Sequence, residues 1–385
     1  MKSSLLSFVL GIVALCALLS SCKKSAQPSM KDGSVAATAT QEAKPPLKFK
    51  TFSYTDKQGI GIEAFSVLIP TDWSFDGGIR WVLDNPGMPA TSSFRISSST
   101  GHDELEVFPN QSFFWTTNPM TLQLFPVGTK YFGAEVRQPV GPLTALKNIV
   151  LKRFRKGYKD LLIVSEENLP ELARSLGAGQ SQPGISASAN GASIRIEYNV
   201  GNITKEEQIY AVVESFSFPI QSMFGTQTNT MWTVDYIFSF KADKGKLDEQ
   251  AKMFQTIVSS FRLNPRWFSK YNQIVEYLIQ QQIRQIRSVG ELSRIISRTH
   301  NEISDMMMET YNNRQQVYDR LSENFSQHIR GVDEYYDPVE QRRVELPSGY
   351  NEGWVNGLGE YILSDNPNYN PNVESNQTWH RMEKK

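Results

Sequence analysis

Regular alternation of apolar and polar side chains in the middle of the chain is the feature that most limits the possible fold. Polar residues such as Thr233 and Ser239 alternate in one segment with large apolar residues, which occupy every second position. The apolar residues are Trp232, Val234, Tyr236, Phe238 and Phe240. Because successive side chains of a strand point to opposite faces, this spacing predicts a half-buried antiparallel strand. The same period predicts strands at Phe65, Val67 and Ile69 and over 193–198.

Other segments of the same region predict a central strand and three helices. The β-rich, mostly apolar residues of 207–218 are typical of a strand buried on both faces. Pro142 suits the first turn of a helix over 143–154, a second short helix is expected over 168–176, and a third follows apolar helical spacing over 247–261. Residues 177–191 are expected to form a loose surface loop. Strands separated by helices without βαβ regularity indicate an α+β domain over 48–263.

Two stretches of this domain resemble a known family. The segment from Phe65 to Trp73 is similar to the opening strand and turn of PsbP/Mog1-like domains, and the segment from Ile257 to Arg262 is similar to the helix that ends them. The resemblance implies an antiparallel sheet flanked by helices, over roughly residues 50–263. It also implies a domain that is not an enzyme, as most members are not.

The pattern changes after Asn264 and Pro265. Residues 264–330 contain almost no Gly or Pro, and a thin apolar stripe recurs there at steps of three and four. This spacing favours a coiled-coil-like seam. Because a continuous helix of ~60 residues would be ~90 Å long, we expect either a helical hairpin that turns near Gly290 or pairing with a partner helix. Self-association through residues 265–329 is one form of such pairing.

The C-terminal region, residues 331–385, is predicted to be a small β-rich element. Residues 335–346 read as two strands around a turn at Asp337 and Pro338. The following stretch, from Pro347 to Asp365, is expected to add further short strands. Together with the helix before it, this region resembles the C-terminal part of an uncharacterised family of secreted bacterial proteins, so the resemblance implies no chemistry.

The N-terminus has the features of a bacterial lipoprotein signal. Residues 1–21 combine Lys2 with an apolar run of ~15 residues, shorter than the ~20 that span a bilayer. The run ends in Leu19-Ser20-Ser21-Cys22, which resembles a lipobox, so Cys22 is the expected acceptor of a diacylglycerol and of a further acyl chain such as palmitate. A secretory signal with a chance cysteine is the alternative. Residues 22–47 are rich in Lys, Ser, Ala, Pro and Thr, which predicts a flexible tether.

Composition narrows the compartment and the partners. The chain has two cysteines; Cys16 leaves with the signal and Cys22 is acylated, so the mature protein is expected to have neither free thiol nor disulfide. The 40 basic and 40 acidic side chains balance, which argues against binding of nucleic acid. Because Lys23 is not the aspartate that retains enterobacterial lipoproteins at the inner membrane, we expect an envelope location at the outer membrane.

Residues that could carry chemistry are sparse. None of the four histidines has metal-ligand spacing, and neither a phosphate-binding loop nor a nucleophile elbow occurs. We therefore expect no metal and no cofactor. A basic cluster is either a contact for anionic lipid or the solvated face of a helix: Lys147, Lys152, Arg153, Arg155, Lys156 and Lys159.

Two groups of aromatic residues are candidate binding surfaces. Residues 112–126 concentrate aromatics beside turn residues around Trp115, which indicates either a binding loop or core strands with a tight connection. Tyr350, Trp354 and Tyr361 could form a patch for a glycan or a peptide, or they could be the core of a small domain poor in aliphatic residues.

Two hypotheses of function follow. The first is a membrane-anchored envelope protein that is not an enzyme and that binds a protein or another envelope component through its body and helical arm. The second is an envelope hydrolase with carboxylates as acid and base, for which Glu104, Glu106 and Asp235 are examples of the residue type required.

Overall fold

Strands dominate the protein, so the predicted α+β class is wrong. The computed structural model describes residues 45–158, 160–170, 184–222, 225–280, 332–373 and 375–385. Strands make up 51% and helices 19% of these residues, in curled sheets with only short helices. The physical reason is the length of the central strands, three of which run for 15 to 20 residues, whereas the sequence pattern predicted short strands alternating with helices.

The first half of the chain forms nine strands and two helical segments. They are β1 (Leu47–Thr55), β2 (Glu63–Pro70), β3 (Ser74–Trp81), β4 (Ala90–Ser97), β5 (Glu104–Val107), β6 (Gln111–Thr116), α1 (Pro119–Leu124), β7 (Lys130–Tyr131), β8 (Ala134–Val136), α2 and β9 (Leu162–Asn168). Segment α2 consists of Pro142–Ala145, a π-helical turn Leu146–Val150 and Leu151–Phe154.

The second half contributes the longest strands and the two longest described helices. They are β10 (Ser186–Val200), β11 (Ile203–Ser222), β12 (Gly225–Asp243), α3 (Leu247–Ser259), β13 (Arg262–Leu263), α4 (Pro265–Gln280), β14 (Val332–Asp337), β15 (Arg342–Pro347), β16 (Glu352–Asn356), β17 (Glu360–Ser364), a 3₁₀ turn Pro371–Val373, β18 (Trp379–Arg381) and β19 (Glu383–Lys384).

Three sheets stack in layers. The ten-stranded sheet has the order β3-β4-β5-β12-β11-β10-β9, with β6 paired to β12 and to β8, which also pairs with β7. The six-stranded sheet has the order β13-β2-β1-β17-β16-β18, so β1 lies beside a strand from the C-terminal region. The three-stranded sheet has the order β15-β14-β19.

Each gap between layers holds an apolar core. Phe65, Val67 and Ile69 of β2 face the ten-stranded sheet together with α3 and α4, which confirms the predicted common face of these residues. The opposite face of the six-stranded sheet packs on the three-stranded sheet through side chains such as Phe49, Tyr335 and Tyr361. On the far side of the ten-stranded sheet, α2 covers the apolar residues of β10 and β11.

The alternation along β12 changes face in the middle of the strand. Trp232 and Val234 are buried in the core under α2, whereas Phe238 and Phe240 are buried in the core under β2. The change occurs at Tyr236, where φ is +49° and the pairing with β11 shifts register. An extra residue in one strand inverts the facing of every side chain after it. The single common face predicted for these five residues is therefore wrong.

Several local predictions can be compared directly. Helix α3 and the β14–β15 hairpin lie where the sequence pattern predicted them. The predicted loop over 177–191 is wrong from residue 186, where β10 begins, and Asn168 ends a strand rather than beginning a helix. The predicted long helical segment over 264–330 is wrong as a feature of the fold, since the described helices are short; within it the structure describes only α4, of 16 residues, and residues 281–331 lie outside the described part. No described helix has the length and hydropathy needed to cross a membrane.

A buried carboxylate fastens α4 to the body. Asp56 is fully buried and accepts hydrogen bonds from the backbone N–H of Ile60 at 3.0 Å, the indole N–H of Trp81 at 3.1 Å and the indole N–H of Trp267 at 2.9 Å. The three donors come from the loop after β1, from β3 and from the first turn of α4. A buried carboxylate needs such partners, so this Asp56 clamp fixes the start of α4.

Candidate functional site: the apolar lobe

Residues 117–136 form a small projection beyond the end of β6, which we call the apolar lobe. Asn118 begins it, since its side-chain oxygen accepts from the backbone N–H of Met120 at 2.9 Å and of Thr121 at 3.3 Å and so caps α1. Pro119 at the first helical position fits this start. After α1 a turn leads into β7, and β8 returns to pair in parallel with β6.

The inside of the lobe is a small aromatic core. Tyr131 stacks on the buried ring of Phe114, with 4.2 Å between ring centroids. Phe125 meets Tyr131 edge to face at 5.0 Å. Leu122, Ala134 and Val136 complete this cluster, and Trp115 packs against its edge. Edge-to-face and stacked pairs of this kind add to the stability gained by burial, so the lobe has a core of its own.

The outside of the lobe is apolar as well. Four large apolar side chains project from it: Met120 is 56% exposed, Leu124 74%, Val127 64% and Phe132 73%. Met120 and Leu124 are four positions apart on α1 and share one face. Phe132 contacts Tyr131 edge to face at 4.8 Å, so it is attached to the aromatic core of the same lobe. Contiguous exposed apolar patches mark interaction sites on soluble proteins.

Phe132 occupies a turn position that disfavours it. Its φ is +47° and that of Gly133 is +83°, the left-handed conformations of a tight hairpin turn between β7 and β8. Asn and Gly are the usual residues there, and a bulky side chain with positive φ costs about 1 kcal/mol or more. Gly133 is required because an added Cβ would lie 2.3 Å from the carbonyl oxygen of Asp84. The turn thus holds a large ring in solvent against local preference.

Charges surround the lobe but are absent from its tips. No charged residue occurs between Glu106 and Lys130. Lys130 is paired with Asp84 at 3.0 Å. At the base of the lobe, Glu135 is paired with Arg137 and Arg153. The tips therefore combine apolar side chains with a polar rim that contains cations.

The predicted basic cluster does not form a common cationic face. Lys147 is paired with Glu166 at 2.9 Å. Arg153 donates hydrogen bonds to Gln111 and to Glu135 at the base of the lobe. Arg155 is buried, with its side chain 4% exposed. Lys152 and Lys156 are exposed, and Lys159 lies outside the described residues.

Arg155 is the centre of a buried ionic network that the sequence did not reveal. Its guanidinium donates to Glu207 Oε2 at 2.9 Å and Oε1 at 2.5 Å, and to Glu106 Oε2 at 2.6 Å. The hydroxyl of Tyr198 donates to Glu207 Oε2 at 2.8 Å. The ring of Phe108 covers the cation at 4.8 Å. Opposite charges that share several hydrogen bonds offset the cost of their burial.

Electrostatics of the network follow from this geometry. Burial opposes the charge of Glu207, but the hydrogen bonds and the charge of Arg155 outweigh it and hold the pKa of the carboxyl below its usual value. Burial likewise opposes the charge of Arg155, yet Glu207 and Glu106 raise its pKa. The pKa of Tyr198 is raised by burial and by the charge of Glu207. All three groups are thereby fixed in one protonation state near neutral pH.

The carboxylates named for a hydrolase have structural partners. Glu104 is paired with Lys241 at 2.7 Å, and Glu106 lies between Arg155 and Arg95. Asp235 accepts from the backbone N–H of its neighbour Tyr236 at 2.6 Å. Each of the three carboxylates thus has at least one partner within the protein.

A second polar cluster lies at the far end of β12. Asp243 accepts from Lys205 Nζ at 2.5 Å and contacts His102 Nδ1 at 2.5 Å. These hydrogen bonds lower the pKa of Asp243. The cluster connects the β4–β5 turn to β11 and β12, and within the described chain no group of three or more metal-ligating side chains converges.

The aromatic residues predicted as binding sites do not form one surface. Trp115 is half-buried at the base of the lobe. Tyr361 is fully buried and donates its hydroxyl proton to Asp337 at 2.6 Å. Trp354 is paired with Ile362, the residue after Tyr361 in β17, so the side chains of Trp354 and Tyr361 lie on opposite faces of the sheet. Tyr350 packs at the edge of the core. Cys22 lies outside the described residues.

No protein-family model matches the chain, and no curated protein gives a significant match.

Proposed function

We propose that this protein is a lipid-anchored protein of the cell envelope that binds an envelope component and catalyses no reaction. Cys22 carries the acyl chains, the residues that follow it connect the lipid to the body, and the apolar lobe is the contact surface. The outer membrane is the proposed location. Residues 265–329 are a second proposed contact, by self-association or by binding of a partner helix.

The observation that carries the proposal is the exposure of four large apolar side chains on one lobe. Scattered apolar residues on a protein surface require no explanation, but four large ones within residues 120–132 do. The strained turn at Phe132 strengthens this argument, because Asn or Gly at that position would relieve the strain and remove the exposed ring. The buried carboxylates Glu207 and Glu106, in contrast, are already bonded to Arg155.

Crosslinking in cells tests the contact surface. After signal cleavage and acylation, the sequence predicts a mature chain without a free thiol, so Leu124→Cys supplies a single reactive site on the lobe. Leu358→Cys is the matched control, since Leu358 is 63% exposed on the β16–β17 turn. We expect a thiol-directed photocrosslinker to give specific adducts from position 124 only. Identical adducts from both positions, or none from 124, would contradict the proposal.

Fractionation tests the anchor separately. Replacing Cys22 with serine removes the only nucleophile that can accept the diacylglycerol, so Cys22→Ser is expected to abolish labelling by radioactive palmitate and to release the protein from washed membranes. The wild-type chain is the reference. Continued labelling of Cys22→Ser would refute lipidation at this residue.

A further inference from the structure

The composition of the lobe fits a lipid interface. Its tips are Met120, Leu124, Val127 and Phe132, and no charged residue occurs between Glu106 and Lys130. Protein interfaces are enriched in Tyr, Trp, Phe, Met and Arg, and they use many hydrogen bonds. Segments that enter the interfacial layer of a bilayer instead place aliphatic and Phe side chains foremost, with Trp, Tyr and Lys behind them.

The residues behind the tips follow this order. Tyr131 contacts Phe132 edge to face and belongs to the aromatic core of the lobe, and Trp115 packs against the same cluster. Lys130 is at the rim, 63% exposed and next to Tyr131 in β7. Amphipathic side chains such as these occupy the level of the lipid headgroups, where an apolar part and a polar end are both satisfied.

Backbone hydrogen bonding also suits an apolar environment. An unpaired amide is costly in lipid, because no water is available to bond it. In the lobe, the amides of Met120 and Thr121 donate to Asn118, and that of Phe125 donates to the carbonyl of Thr121 at 2.8 Å. The turn amides are bonded as well: Gly128 donates to Val136 at 2.9 Å and Thr129 donates to Pro126 at 3.0 Å.

The length of chain before the body permits the contact. The 25 residues from Cys22 to β1 can extend to ~85 Å. The far end of β12 lies near the start of β1, because Asp243 contacts His102 in the β4–β5 turn, Ser99 of that turn bonds Asp72, and the amide of Thr71 donates to Lys48. The 19 residues of β12 span ~60 Å, which is the distance that the tether must cover to bring the lobe to the membrane. The lobe can therefore reach the membrane in which Cys22 is anchored.

From these observations we infer that the lobe inserts into the interfacial layer of the lipid bilayer, as a second membrane contact beside the acylated cysteine. This inference rests on the proposed binding role of the lobe and names its ligand class. Side chains 120, 124, 127 and 132 enter the boundary between headgroups and acyl chains, and the rim of Tyr131 and Lys130 stays at headgroup level. A protein partner on the same surface is the competing occupant.

Vesicle flotation tests this inference without the lipid anchor. The chain from Lys23 to Lys385, purified without acyl groups, is mixed with vesicles of phosphatidylethanolamine and phosphatidylglycerol. We expect the wild type to float with the vesicles and Leu124→Ser/Phe132→Ser to bind at least tenfold more weakly, since each apolar side chain contributes about a tenfold factor to partitioning. The matched control is Leu358→Ser/Val373→Ser, which replaces side chains 63% and 77% exposed elsewhere and should float as the wild type does.

A fluorescent label measures insertion directly. Leu124→Cys is the single thiol of the chain that begins at Lys23, so it can carry an environment-sensitive dye such as NBD. Its emission should shift to the blue on addition of vesicles, also in 0.5 M salt, whereas dye at Leu358→Cys should not respond. Unchanged unfolding midpoints of the variants show that they fold.

The outcomes separate the inference from the proposed function. Failure of the wild type to float, equal losses by the two double variants, or an unresponsive dye at position 124 would overturn insertion into lipid. If such a failure is accompanied by a specific protein adduct from Leu124→Cys in cells, the lobe binds a protein and the proposed function stands. If it is accompanied by no specific adduct, both the insertion into lipid and the proposed role of the lobe as a contact surface are refuted.

Discussion

Replacing Arg155 with methionine removes the cation that neutralises two buried carboxylates. Glu207 is fully buried and loses both of its guanidinium hydrogen bonds, while Glu106 keeps Arg95. Leaving a buried charge without its partner costs about 3–5 kcal/mol of unfolding free energy. For a body of this size, such a loss corresponds to a fall of roughly 10 °C in Tm.

The loss should depend on pH in a defined direction. In the wild type, the folded-state pKa of Glu207 is lowered, so its stabilising contribution is complete above the ordinary carboxyl pKa and disappears only as the pH falls through the lowered value. In Arg155→Met, burial acts without the cation, and the folded-state pKa of the same carboxyl rises. The variant therefore gains stability as the pH falls from 7 towards 4.5, while the wild type does not, and the difference between them shrinks.

Urea unfolding at pH 7 and at pH 4.5, followed by circular dichroism, measures both effects. The double variant Arg155→Met/Glu207→Gln removes the isolated charge and leaves an acceptor for the Tyr198 hydroxyl, so we expect it to recover most of the loss. Lys152→Met, an exposed cation on the same helical segment, should change stability by less than about 0.5 kcal/mol. A loss below about 1 kcal/mol for Arg155→Met, or one independent of pH, would refute this account of the network.

Three smaller perturbations test other parts of the fold. Asp56→Ala leaves two indole N–H groups and one amide without their acceptor and should cost about 3 kcal/mol in urea unfolding; a loss under about 1 kcal/mol would contradict the clamp. Gly77→Ala places a Cβ 2.4 Å from the backbone of β4, whereas Gly101, also at positive φ, faces open space, so Gly77→Ala should lower Tm far more than Gly101→Ala, and equal effects would exclude the clash. Tyr361→Phe removes the hydroxyl donated to buried Asp337 and should cost about 1–2 kcal/mol, detectable as a lower urea midpoint; an unchanged midpoint would count against that bond.

The period of apolar residues correctly predicted those strands and helices that bury a single face. The alternation in β2 and the helical spacing in α3 each match one buried face, because a single strand or helix exposes its period directly in its sequence. The hairpin of β14 and β15 was predictable for a similar reason. Its turn is closed by Asp337, whose side chain accepts from the amides of Val339 and Glu340.

Pairing between long strands was not predictable from composition. Residues 186–191, rich in Ser and Ala, resemble a loop, yet they form the start of β10 because β11 supplies hydrogen-bond partners along that entire length. Tertiary pairing overrides weak strand propensity in this way. The bulge at Tyr236 was hidden for another reason. Two consecutive apolar residues, Tyr236 and Ile237, stand at the bulge. The sequence therefore does not show at which of them the alternation changes face.

The apolar lobe was only partly visible in the sequence. The absence of charge between Glu106 and Lys130 is a clear signal, and Trp115 lies within that stretch. However, the sequence does not distinguish Phe113 and Phe114, which are buried, from Leu124 and Phe132, which are exposed. The distinction depends on tertiary packing, since Phe113 stacks on Trp232 and Phe114 stacks on Tyr131, whereas Leu124 and Phe132 remain exposed.

The position of β1 has a mechanical consequence for the proposed anchor. Any load on an acylated Cys22 reaches the body at the start of β1, where Leu47 pairs with Leu363 of β17 and, two residues further, Phe49 pairs with Pro70 of β2. An edge strand loaded at its end could separate from its sheet along one ladder. Because β1 has a neighbour on each side, both ladders must yield, and Thr51 adds a bond from its hydroxyl to the Gly359 carbonyl at 2.7 Å. Strands from the C-terminal region thus hold in place the strand that would carry the load of the proposed tether.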